Sequence, residues 1–77
     1  MEKQIKSAID FIINRWLTAY NARVELIGTS EGNVSLKIII KEEDGYSSLD
    51  VESIKTHIEW VLHTKFNNIR HIYYTVE

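Results

Sequence analysis

The chain has no cysteine and no proline, and only three glycines among its 77 residues. Without cysteine the fold cannot rest on disulfides. Thiolate metal sites, a cysteine nucleophile and cysteine-ligated iron–sulfur clusters are excluded for the same reason. Glycine is too scarce for a phosphate-cradling loop, since Gly28 and Gly32 bracket a polar stretch between two strand patterns rather than a strand-to-helix turn. Long apolar runs are missing too. Phe11-Ile12-Ile13 and Ile38-Ile39-Ile40 stop at three residues, whereas a membrane-spanning helix needs about 20. No charge sign dominates: nine Lys and Arg face eleven Asp and Glu, for a net charge of -2. That balance gives no global pull toward nucleic acid or acidic membranes. Met1-Glu2-Lys3-Gln4 shows no secretory leader pattern. Together with the lack of cysteine, this makes a cytoplasmic location the expectation.

What is present is apolar residues in regular spacing. They make up 44% of the chain, and twelve residues are Ile. Size scaling gives roughly 63% of the unfolded surface buried, enough for one thin core and one domain over residues 1–77. Residues 3–20 predict a helix. Ile5, Ala8, Ile9, Ile12, Ile13, Trp16, Leu17 and Tyr20 fall at i, i+3, i+4, i+7, while Lys6, Asp10, Asn14 and Arg15 lie off that stripe. Asn21 suits a left-handed helix end. Residues 23–28 switch to period two, with Val24 and Leu26 on one face and Glu25 and Ile27 on the other. Gly28 to Asn33 reads as a polar hairpin loop. Residues 33–41 alternate again, with Val34, Leu36, Ile38 and Ile40 inward.

Residues 42–50 read as a polar loop ending in Ser47, Ser48 or Asp50, any of which suits a helix N-cap. A second helix follows over about residues 50–66, buried through Val51, Ile54, Ile58, Val61, Leu62 and Phe66. Residues 69–76, rich in β-branched and aromatic types, predict the last strand. The expected fold is α+β: a two-layer α-β-β-α-β domain, a three-stranded sheet with two helices on one face.

The order of elements and several strings resemble the NifU-like C-terminal domain, a family that assembles or carries iron–sulfur clusters. Ala19-Tyr20-Asn21-Ala22-Arg23-Val24-Glu25-Leu26 is similar to that family's Ala-Asp-Gly-Gly-Asp-Val-Glu-Leu entry into its first strand. Ile54-Lys55-Thr56-His57-Ile58-Glu59-Trp60 is similar to its Leu-Lys-x-x-Ile-Glu helix, and Lys65-Phe66-Asn67-Asn68-Ile69 to its Lys-Phe-Pro-Glu-Ile exit. The family's Cys-x-x-Cys would fall on Asp44 and Ser47, which keep the spacing and lose both thiolates. Asn21-Ala22 replaces the family's Gly-Gly pair. Asp and Ser offer hard oxygens, poor partners for iron in a cluster. The resemblance therefore implies the family's fold with a degenerate, non-ligating cluster site, no cofactor, and at most an accessory role in iron–sulfur metabolism.

No other chemistry gathers. Glu42-Glu43-Asp44, with Asp50 and Glu52, lacks the alternating ligands of an EF-hand and reads as a solvated loop. His57 and His63 are six residues apart, about 120° around a helix, and His71 falls on a strand, so the histidines read as surface residues. No serine sits in a nucleophile elbow, and a non-catalytic protein is expected. The element order overlaps a KH-like nucleic-acid fold, yet no Gly-x-x-Gly loop is present. Lys37, Lys41, Arg70 and Tyr73 would have to make a basic–aromatic platform without a basic surplus. Phe11 and Trp60 stand out instead. Phe11 falls about 140° from the first helix's apolar stripe, and Trp60 opposite the second's. Two exposed aromatics on neighbouring helices point to a protein interface. The expected function is a small binding or assembly module acting on a protein partner or on itself, with a nucleic-acid binder or a structural oligomerisation module as alternatives.

Overall fold

The computed structural model describes residues 2–41 and 50–77. Asp44 and Ser47, with the rest of the acidic stretch Glu42–Asp44, lie outside the described residues.

The first helix occupies residues 2–20 in four pieces. α-Helical Glu2–Ala8 leads into a π turn, Ile9–Ile13, then α-helical Asn14–Leu17 and a 3-10 turn, Thr18–Tyr20. The buried residues explain the π turn. Ile5, Ile9, Ile13 and Leu17 are all essentially inaccessible and recur every four residues. In a straight α-helix a four-residue repeat drifts about 40° per step. The wider turn, in which the Asn14 N–H bonds the Ile9 carbonyl, underwinds the helix and keeps all four on the core. Asn21, at φ 55° and ψ 39°, is the left-handed residue that stops it.

Strands β1 (Ala22–Ser30) and β2 (Asn33–Ile40) pair antiparallel, and β3 (His71–Val76) lies parallel to β2. The sheet order is β1-β2-β3, with β2 central. The polar stretch expected as a loop from Gly28 is shorter than its composition suggests. β1 continues to Ser30, and only Glu31 and Gly32 turn, at φ 52° and 85°. Two positive φ values make a tight hairpin whose twist matches the strands it joins. The register slips between Leu26 and Gly28, leaving Ile27 as a bulge.

The second helix, Val51–Lys65, starts at Asp50, whose carboxylate accepts the Ser53 N–H at 2.7 Å. That bond holds the Asp50 carboxyl below its ordinary pKa. Both helices cover one sheet face. Val24, Val34, Leu36 and Ile38 meet Ile54, Ile58, Val61 and Leu62 and the first helix's stripe in one core. The two-layer α-β-β-α-β reading is the architecture observed. Among the described residues no helix is long and apolar enough to cross a membrane.

Candidate docking face on the helical layer

The two helices run antiparallel, and the face they turn to solvent carries two shallow depressions. One, about 890 Å³, is lined by Lys3, Ser7, Phe11 and Ile12 of the first helix with Lys65 and Phe66 beyond the second. The other, about 530 Å³, lies where Trp16 meets Asp50, Glu52, Thr56, His57 and Trp60. Phe11 is 74% exposed and Trp60 67%. Each aromatic lines a different depression of the same face.

Trp60 is the outer end of a line of rings. Tyr20 stands 5.3 Å from Trp16, Trp16 is 4.1 Å from His57, and His57 lies 6.5 Å from Trp60, centroid to centroid. Helical spacing makes the line: Trp16 and Tyr20 are four residues apart, His57 and Trp60 three. Trp16 and Tyr20, which periodicity assigns to the core stripe, are only half-buried. They sit on the flank of the first helix where the layer opens. His57, expected as an ordinary surface histidine, is half-buried between two indoles. Its Nε2 is buried with no hydrogen-bond partner among the described residues. Burial lowers its pKa, because the imidazolium would lose its hydration there. Sequence alone shows the His57–Trp60 spacing, but nothing in it brings Trp16 alongside.

Charge is sorted along this face. Lys3 and Lys65 border the Phe11 depression, and Asp50 and Glu52 border the Trp60 depression. Glu52 reaches Lys55 at 3.7 Å, a loose pair that leaves its side chain 85% exposed.

Elsewhere Asn33 Oδ1 and the Tyr74 hydroxyl are also buried without a hydrogen-bond partner among the described residues. On the open sheet face Arg23 pairs with Glu25 at 3.0 Å and Lys37 with Glu77 at 3.2 Å. Of the basic–aromatic platform, Lys37 and Tyr73 share the open sheet face one pair apart, while Lys41 and Arg70 lie at opposite ends. Lys41 bonds Asn21 at one end of β2 and Arg70 bonds Gly32 at the other, on the order of 25 Å apart along the strand. Tyr74 lies on the inner face under the Lys55 ammonium, 5.2 Å from its ring centre. Burial, then the nearby Glu59 and Glu52 carboxylates, push its phenol well above the ordinary range. His63 is exposed, and His71 lies against Tyr73 at 6.2 Å on the open sheet face. Among the described residues no three His, Asp or Glu side chains group as metal ligands.

A second feature was invisible to periodicity. Asn14, read as an off-stripe surface residue, turns its amide onto β1. Its Nδ2 donates to the Val24 carbonyl at 2.9 Å, and its Oδ1 accepts the Val24 N–H at 2.6 Å. β1 is an edge strand, so this side chain stands where a neighbouring strand would bond. The clamp guards the edge rather than offering it.

Comparison of the chain with protein-family models, with curated proteins and with solved structures finds no match.

Proposed function

We propose that this protein is a non-catalytic binding module that engages a protein partner through the aromatic face of its helical layer. The line of ring contacts Tyr20–Trp16–His57–Trp60, half-buried along its length and exposed at Trp60, is the observation that supports this reading. Trp and Tyr are the side chains that most often carry interface energy, because they bury large rigid surfaces at low entropic cost. The open sheet face is a weaker candidate, since the ring contacts described there stop at the single pair His71–Tyr73. The iron–sulfur context that the string resemblance implies enters only as a place to look for the partner: proteins of cluster assembly come first.

A photo-crosslinking amino acid placed at Thr56, in the Trp60 depression, and in a second variant at Thr75, on the open sheet face, tests the assignment in living cells. The expected result is a discrete protein adduct from position 56 and none from position 75. Adducts from position 75 alone would overturn it.

A further inference from the structure

We infer that the partner seated on this face is a second copy of the same chain, turned by a two-fold axis that lies between the two depressions and exchanges them. The inference rests on the binding reading above and names its occupant. The two depressions are complementary opposites. Each depression is lined by one exposed aromatic, and the charged side chains lining them have opposite sign, Lys3 and Lys65 in one and Asp50 and Glu52 in the other. A two-fold rotation in the plane of the helical layer exchanges the ends. It brings Phe11 of one copy over the Trp16–His57–Trp60 hollow of the other. It also brings Trp60 over the hollow between Ile12 and Phe66. Lys3 and Lys65 then face Asp50 and Glu52 across the interface. Because the contact is isologous, each of these meetings occurs twice. Charge sorted by end favours this antiparallel pairing and opposes the parallel one, in which like charges meet. Phe11 and Trp60 are each a knob for the hollow at the opposite end.

The test begins with sedimentation equilibrium of the 77-residue chain over a range of concentrations. A dimer is expected. Phe11→Asp and Trp60→Asp should each weaken dimerisation at least about tenfold, the scale of a central interface aromatic. Circular dichroism keeps loss of folding separate, because both side chains are exposed in the monomer. Lys65→Glu should weaken the dimer, and adding Glu52→Lys in the same chain should restore it. The absence of cysteine gives a clean background for the orientation test. Ser7→Cys and Thr56→Cys chains, mixed and oxidised, should form the mixed disulfide in preference to either homodimer. Preferential homodimer disulfides would overturn the two-fold arrangement. A chain that stays monomeric at millimolar concentration would overturn self-association. If position 56 then crosslinks to a different protein, the binding reading stands and the second copy does not. If it crosslinks to nothing, both fall.

Discussion

Asn14 carries more of the fold than its place in the helix suggests. Its amide satisfies both polar groups of Val24 on the edge of β1, and it stands just after the π turn that aims it there. Truncation leaves a part-buried N–H and carbonyl without their partner, at a cost of about 1–3 kcal/mol. Asn14→Ala should lower the urea midpoint by that amount, and the variant should aggregate more readily through the uncovered edge. An unchanged midpoint would show that water replaces the amide freely. His57 makes a pH prediction. Its folded pKa lies below the ordinary 6.5. The unfolded chain therefore binds the proton first as pH falls. The associated stability is complete above about pH 6.5 and is lost as pH drops toward the folded value. Asp50 and Glu52 line the same depression, and the net shift, set by burial, stays downward. Denaturation between pH 7 and 5 should show stability falling in the parent, with a flatter slope in His57→Phe. Equal slopes would remove His57 as the cause.

At the scale of elements, the β1–β2 hairpin separates two glycines that composition treats alike. Gly32 sits at φ 85°, and a Cβ there would stand 2.9 Å from the Asn68 carbonyl oxygen. Gly28 has no positive φ, and a Cβ there would meet nothing within 4 Å. Gly32→Ala should cost about 1–2 kcal/mol or more, while Gly28→Ala should be neutral or gain about 0.5 kcal/mol from reduced freedom in the unfolded chain. Thermal melts of the two variants decide it. The hairpin also marks what the sequence left unread. Strand pairing runs through the backbone, so Gly28-Thr29-Ser30 extends β1 although its side chains read as loop. Only the positive-φ pair at Glu31 and Gly32 ends the strand. The helices, the strand faces and the Asn21 stop were legible because burial follows a simple period. The π turn was not, although the four-residue recurrence of Ile5, Ile9, Ile13 and Leu17 was in view, because a 3.6-residue template absorbs it. Phe11 and Trp60 were legible as exposed side chains. Their separation into two hollows was not, nor was His57's place between indoles, since both depend on how the helices lie side by side.

The molecule as a whole has two solvent faces, and they differ in the side chains they present. The sheet face bears Ile27, 59% exposed, and Tyr73, 56% exposed, beside half-buried Ile39, but its flanking charges are already paired. The helical face bears a line of ring contacts, and the charges lining its two depressions differ in sign, with Glu52 also reaching Lys55. If the helical face is the one used, the sheet face should accept a charge and the layer between them should not. Ile38 is fully buried on β2, the central strand, and Ile39, one residue on, points to the open face. Ile38→Asp places an unpaired carboxylate in the core of a domain whose total stability is only about 5 kcal/mol, and it should unfold the chain. Ile39→Asp keeps its carboxylate near water, beside Arg23 across the strand pair, and should stay folded with the parent's sedimentation behaviour. Circular dichroism reports the first outcome and sedimentation the second. If Ile39→Asp folds but loses self-association, the interface lies on the sheet and the rings of the helical layer are exposed for another reason. If it unfolds as Ile38→Asp does, the sheet's second face is covered in solution, and the two-layer architecture is completed there by a partner.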